Sequence, residues 1–356
     1  MQRSTNSTSV PVIWRLLDGR PGHENQVRGL TEAIARRVPV QYCDIVIDRS
    51  LRGLRSLIPG RMSFAESLPV PDLLVGAGHS THMPMLLWQK RFGGKTVVVM
   101  KPSLPTTLFD LCLIPAHDNL RFETGNVVRT DGTLNRIRPS AHHDAQRGLI
   151  LIGGPSKHFL WSDETVTTQL LKILRRDRRS WTVATSVRTP DSFIQSWRTH
   201  SPDIPLVTSL ERCSQWLPEQ LAECGTVWVT CDSMSMIYEA LTAGSRVGLL
   251  ELRATTRGRI SRNVRRLTDL GLTTSSSQWL AGRELPVHVN HDSESDRCSL
   301  MVVERCLSSS GESPRRKSAL DFRPRQSSIG SGERYLGELS GLIQSCVSLR
   351  TPIRHQ

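Results

Sequence analysis

The sequence predicts an α/β protein of two doubly wound, Rossmann-like parallel-sheet domains facing a cleft. Three observations predict it. Short apolar runs alternate with amphipathic helical stretches along most of the chain. A polar, turn-rich segment, Arg136–Arg147, splits that alternation into two sets. Glycine-bearing turns close several apolar runs, at the edge where open α/β sheets bind ligands.

In the first set, Val12–Leu17 reads as a strand. It meets the turn Asp18-Gly19-Arg20-Pro21-Gly22, and Val27, Leu30 and Ile34 then fall at helical spacing, predicting a helix over Asn25–Arg37. Val40–Ile47 is a second strand and Asp72–Gly76 a third, followed by a polar turn and a helix over Pro84–Arg91. Lys95–Met100 and Phe109–Pro115 complete this set. The second set comprises strands at Leu149–Ile152, Trp181–Val187, Pro205–Val207, Thr226–Cys231 and Arg246–Leu250. The expected organisation is a flexible N-terminus over 1–11, an N-terminal α/β domain over 12–140 and a C-terminal α/β domain over 141–307. A basic, mostly disordered tail covers 308–356, with a short helix at Tyr335–Leu349. The tail is rich in Ser, Arg, Gly and Pro and lacks periodicity.

Composition narrows the class. The chain has 356 residues, 38% of them hydrophobic and 22% charged, enough for two domains with substantial cores. No apolar run reaches the ~18–20 residues a membrane helix needs. The N-terminus lacks a signal-peptide core; its short, Ser/Thr-rich, acid-free composition is weakly compatible with a transit peptide, but 11 residues before the first strand argue against expecting one. The eight cysteines are scattered without a C-x-x-C pair, which argues against a zinc ribbon or a thioredoxin-like motif and for buried free thiols in the cytoplasm. The net charge of +13 favours polyanions or an anionic membrane face, including peripheral contact at the inner membrane. With aromatics at 5% and no nucleic-acid-binding signature, specific nucleic-acid binding is not expected.

Two segments carry the chemistry. In Leu149–His158 an apolar strand ends in Gly153-Gly154-Pro155-Ser156-Lys157-His158. Glycines let backbone N–H groups approach a phosphate, a helix start adds a positive dipole end, and Lys157 adds a full charge. The P-loop spacing is missing, so ATPase chemistry is not implied. In Thr226–Gly244 a strand ends in Cys231-Asp232-Ser233 and a helix follows. Asp232 or Ser233 caps that helix, and Ser233, Ser235 and Glu239 face the sheet edge. Serine hydroxyls and helix N–H groups suit a diphosphate, and a carboxylate one turn on suits a ribose. The competing reading is an ordinary capped helix with a surface glutamate.

Other motifs are weaker. His23, in the turn after the first strand, is a candidate general base, with a helix-capping role as the alternative. Asp118, in Pro115-Ala116-His117-Asp118, is the second catalytic candidate, with a loop cap as the alternative. Gly76-Ala77-Gly78-His79-Ser80-Thr81-His82 begins like a dinucleotide loop. Its third glycine is replaced by Thr81, and Lys101 stands where a ribose-binding acid is expected, so NAD is rejected. His79 and His82 lack a third metal ligand, and no metal is expected; a turn or cleft wall is their expected place. Arg257–Arg266 reads as a solvated basic face or a contact for phosphates or membrane.

Taken together, Asp18–Gln26, Gly76–His82, Lys101–Pro105, Pro115–Asp118, Gly153–His158 and Asp232–Met236 with Glu239-Ala240 resemble one family, in this order. It is the Elongated Mitochondria mitochondrial-fission family and its bacterial relatives, over about residues 12–307. The resemblance implies a two-domain architecture similar to GT-B glycosyltransferases. The Asp232–Glu239 helix also resembles the nucleotide-sugar helix of UDP-GlcNAc 2-epimerases. Carried over, the second domain is the nucleotide side and the first the acceptor side: Ser156, Lys157 and Ser233 meet a diphosphate and Glu239 a ribose, with His23 or Asp118 as base on the acceptor side. The implied activity is glycosyl transfer from a nucleotide sugar, of UDP type, to an envelope or lipid-linked acceptor, with no tightly bound cofactor. The alternatives are a non-enzymatic adaptor that recruits a dynamin-related protein, as plant members are described, and a nucleotide-sugar epimerase. One departure is Tyr238, a large side chain where the family pattern has a small one.

Overall fold

The computed structural model describes residues 10–47 and 65–308, apart from 117, 119, 121–123, 212, 257 and 288–292. The expected tail, its short helix, most of the N-terminal segment, His117 and Arg257 lie outside the described residues. The described residues up to Leu307 form one compact unit.

Two six-stranded parallel sheets organise the chain. The first contains β1 (Val12–Leu17), β2 (Gln41–Val46), β3 (Leu73–Ala77), β4 (Lys95–Val99), β5 (Leu111–Pro115) and β6 (Val127–Thr130), in the order β2-β1-β3-β4-β5-β6. The second contains β7 (Asp144–Ile152), β8 (Ser180–Thr185), β9 (Leu206–Val207), β10 (Cys224–Thr230), β11 (Arg246–Leu250) and β12 (Thr274–Ser275), in the order β12-β11-β10-β7-β8-β9. The helices of the first half are α1 (Pro21–Ala35) and α2 (His79–Phe92). Those of the second are α3 (Asp163–Arg176), α4 (Asp191–His200), α5 (Trp216–Glu223), α6 (Met234–Ala243), α7 (Arg259–Asp269), α8 (Ser276–Leu280) and α9 (Glu294–Val302).

Each sheet is covered on both faces, which explains its near-continuous apolar strands. In β1, Ile13 and Leu17 join the core under α1, while Val12, Trp14 and Leu16 join the core on the opposite face. In β7, Leu149 and Leu151 face one core and Ile150 and Ile152 the other. This period-two division is the pleat read from the sequence.

The strand order locates the candidate crevices. In the first sheet the order reverses between β1 and β3, and in the second between β7 and β10. Ligands of open α/β sheets bind at such reversals, beyond the carboxyl ends of the strands. The four turns after β1, β3, β7 and β10 hold most of the motif residues.

Several boundaries differ from the sequence reading. α1 begins at Pro21, not Asn25, because proline's fixed φ and missing N–H suit the first helical position. α2 begins at His79, so His79 and His82 lie in its first turn and Pro84 within it. β6 and β12 were not expected; both are short and lie at sheet edges. β7 begins at Asp144, within the expected linker. No helix follows Lys157 directly. Phe159 instead bridges Ala254, and α3 starts at Asp163 with Ser162 capping it. Glu294–Leu307, expected on the nucleotide side, packs on the first sheet: Cys298 and Val302 are buried in the core that contains Leu30 and Ile34. Arg36 pairs with Asp296, and Arg37 bonds Ser299 Oγ.

Candidate functional site

The β1 turn is built around Asp18, which is 3% exposed. Its carboxylate accepts from His23 Nδ1 at 2.9 Å, the Arg20 N–H at 3.1 Å and Ser80 Oγ at 3.4 Å. Gly78, in the β3 turn, makes this possible. Its φ of +89° is left-handed, and a Cβ there would stand 2.4 Å from His23 Nδ1. With Nδ1–H donated to Asp18, His23 Nε2 has no partner among the described residues, and the side chain is 17% exposed. Beneath it, His82 is buried, bonds Ser103 Oγ at 3.1 Å and meets Phe109 edge-on. Burial, reinforced by His79 and His23 nearby, lowers its pKa to about 4.

The second sheet's crevice is more tightly braced. The Gly153 N–H donates to Thr230 Oγ1 at 2.7 Å and the Gly154 N–H to Asp232 Oδ2 at 3.1 Å. Arg188, from the loop after β8, reaches Asp232 Oδ2 at 2.8 Å and the Gly154 carbonyl at 3.0 Å. Ser156 Oγ accepts from the N–H groups of His158 and Phe159. The phosphate cradle expected of Gly153, Gly154 and Ser156 is thus not open: these groups bond within the protein. Asp232 neither caps α6 nor faces outward; its side chain is fully buried, and it ties the β10 turn to the β7 turn. Lys157 is exposed, and its ammonium has no partner among the described residues. Lys157 and Arg259 both lower the pKa of His158, after desolvation, which places three basic side chains together.

α6 starts at Met234 behind Ser233, whose hydroxyl makes no capping bond. The Ile237 N–H is the first to find a helical acceptor, the Ser233 carbonyl. The N–H groups of Met234, Ser235 and Met236 are therefore orphan donors among the described residues. This helix start faces α1: Ser235 Oγ lies 3.6 Å from where a Gly22 Cβ would be. One turn on, Glu239, 7% exposed, accepts from Asn25 Nδ2 at 2.6 Å. The carboxylate assigned to a ribose thus binds the first domain's helix. Tyr238 fits without crowding this crevice. Its ring packs over Gly132, and its hydroxyl accepts from Asn263 Nδ2 at 3.2 Å.

Asp118 does not stand as a free base. It is 2% exposed, and Arg259, at the start of α7, is paired with its carboxylate. The structure thus brings His23, Ser233, Ser235 and Glu239 together where α1 meets α6, with Lys157 on the turn of the neighbouring strand. The sequence reading passed over Asp18, Asn25, Arg188 and Arg259. Arg259 lay in a basic run and Asn25 in the first turn motif, but Arg188 carried no local signal.

Two parallel sheets with flanking helices, opposed at their carboxyl edges, define a GT-B-like architecture. Known structures agree. UDP-GlcNAc 2-epimerase from Methanocaldococcus jannaschii superposes with a TM-score of 0.52 at 11% identity, covering 82% of this chain and 99% of that one. The Neisseria meningitidis enzyme, bound to UDP-GlcNAc, gives 0.52 at 11% identity, covering 84% and 100%. At such identity the likeness shows the fold alone. The family model for mitochondrial fission ELM1 matches residues 21–306, and the chain belongs to that family. An uncharacterized protein of Rickettsia prowazekii (strain Madrid E) is 24% identical over 297 residues, covering 65% of this chain and 81% of its own length.

Proposed function

We propose that this protein binds a nucleotide sugar, of UDP type, between its two domains and transfers the sugar to an envelope or lipid-linked acceptor. The carrying observation is the start of α6. Among the described residues its first-turn N–H groups lack acceptors and the Ser233 hydroxyl caps nothing, and the helix end sits at a strand-order reversal facing α1. Such a terminus favours a diphosphate through its donors and dipole. Lys157, on the adjacent turn, adds a mobile charge. As the bond to the sugar breaks, negative charge grows on the leaving diphosphate, and these fixed donors stabilise it there. His23 Nε2 accepts the proton of the attacking hydroxyl, while Asp18 holds Nδ1–H and fixes the tautomer. Glu239 reaches the ribose only after exchanging Asn25 for it. The UDP-GlcNAc bound by the Neisseria enzyme of similar fold supports the ligand class.

A second reading is an adaptor without chemistry that recruits a dynamin-related protein. Two ties across the crevice, Asn25–Glu239 and Arg259–Asp118, favour it, because they occupy side chains that a substrate would otherwise meet. An epimerase is a third, with the same ligand. Thermal-shift measurements with UDP, GDP, ADP and CMP sugars separate these readings. Ligand at about 100 times its dissociation constant adds about 2.7 kcal/mol of stability. The stabilisation should fall in Lys157→Ala and Ser233→Ala. No stabilisation by any nucleotide sugar supports the adaptor. Release of UDP only when an acceptor is present separates a transferase from an epimerase.

A further inference from the structure

We infer that the outward face of α7 docks on an anionic phospholipid surface. Arginines elsewhere in the protein commonly answer a carboxylate: Arg28 pairs with Asp44, Arg91 with Glu66, Arg136 with Glu32 and Arg147 with Glu223. On α7 this stops after Arg259. Arg262, Arg265 and Arg266 are exposed, lie within one and a half turns, and have no carboxylate partner among the described residues. Asn263 and Leu267 are buried, so the helix is anchored by that side; Arg262 and Arg265 turn away from it, and Arg266, exposed, flanks it near Tyr238. The first acid on the helix is Asp269, at its end, and Leu270 just beyond it is 58% exposed. Three unneutralised guanidinium groups beside an exposed leucine match a headgroup layer: phosphates pair with the arginines, and the leucine meets the acyl boundary. A nucleic acid would want aromatic side chains to stack on, and this helix has none.

The position of the face gives it a purpose, and this part rests on the proposed function. α7 begins at Arg259, whose partner Asp118 lies in the other domain, so the arginine row starts where the crevice opens. A bilayer contacted by α7 lies beside that opening, within reach of a lipid-linked acceptor.

The test is sedimentation of the full chain with vesicles of phosphatidylcholine alone and of phosphatidylcholine mixed with phosphatidylglycerol. Binding is expected only to the mixed vesicles and should weaken as salt is raised. At about 1 kcal/mol per basic residue near such a surface, the triple change R262Q/R265Q/R266Q should weaken it about a hundredfold. A control of equal charge, K172Q and R175Q on α3 together with R178Q two residues beyond it, all exposed, should cost less than tenfold. Equal losses in the two triple variants would overturn the inference, as would unchanged binding by the α7 variant. Binding to a DNA oligonucleotide as tight as to the mixed vesicles, and equally dependent on these arginines, would reassign the face to nucleic acid. Retained stabilisation by a nucleotide sugar in the α7 variant separates this surface from the crevice; loss of both lipid and nucleotide binding would count against a distinct docking face.

Discussion

The turns after β1 and β7 begin alike and end differently. Each follows a buried apolar strand, contains glycines and lies at the reversal of strand order in its sheet. After β1 the chain enters a helix at once, and its one deeply buried carboxylate, Asp18, holds an imidazole whose other nitrogen stays available. After β7 the helix is delayed to Asp163, and the buried carboxylate, Asp232, fastens the turn itself. The first arrangement holds an imidazole at the crevice; the second makes a braced shelf. Among the described residues, the backbone donors left without acceptors then lie on the next strand's helix, α6, rather than at Gly153 and Gly154. A glycine-rich turn after a strand is thus not by itself a phosphate site; what matters is whether its N–H groups already have acceptors.

Four changes test that contrast, from the largest effect to the smallest. Gly154→Ala puts a Cβ 2.1 Å from the Arg188 carbonyl oxygen. Backbone cannot move aside cheaply, so a loss of about 3 kcal/mol or more is expected in chemical denaturation. A mild loss would mean the shelf is soft. On the other side, acid should act through His82. Its pKa near 4 in the folded protein lies below the ordinary 6.5. The unfolded chain therefore binds a proton that the folded one refuses, and stability present above pH 6.5 is lost as pH falls toward 4. The full contribution is about 3 kcal/mol. His82→Gln should flatten that slope in denaturation midpoints taken across the interval.

Asp232→Ala leaves the Gly154 N–H without its acceptor and takes from Arg188 its carboxylate partner, leaving it the Gly154 and Pro155 carbonyls. With Arg188 partly exposed, about 2 kcal/mol is expected, and nucleotide stabilisation should fall with it if the shelf positions Lys157. Asn25→Ala is the gentlest. It removes one bond to Glu239, costing about 1 kcal/mol. If Glu239 serves a ribose, the variant should bind UDP as well as or better than the parent by calorimetry. Weaker binding would assign Asn25 to the ligand instead.

The sheets were legible because burial on both faces forces apolar runs of five or six residues. Arg246–Leu250 matches its strand to the residue. β6 and β12 escaped notice because edge strands need less apolar sequence: Val127 and Arg129 are only half-buried, and β12 has two residues. The residues of the crevice were legible as a set of turns and not as partners. Asn25 and Glu239 stand 214 positions apart, and Arg259 and Asp118 stand 141 apart. Local spacing holds no record of such pairings. It marked Asp118 as a titratable group near the cleft and could not reveal the arginine opposite it. Pro21 misled for a different reason: within Asp18–Gly22 it has the same composition whether it breaks a chain or starts a helix.

The return of α9 to the first sheet means that the polypeptide passes between the two halves twice, once on the way out before β7 and once on the way back after α8. Two covalent crossings act like two pins of a door. They favour rotation about the line that joins them and resist rotation about any other, so on opening Asn25 and Glu239 should separate and rejoin in register. They also mean that a fragment cut before β7 would carry a bare apolar stripe along α1, where Cys298 and Val302 belong.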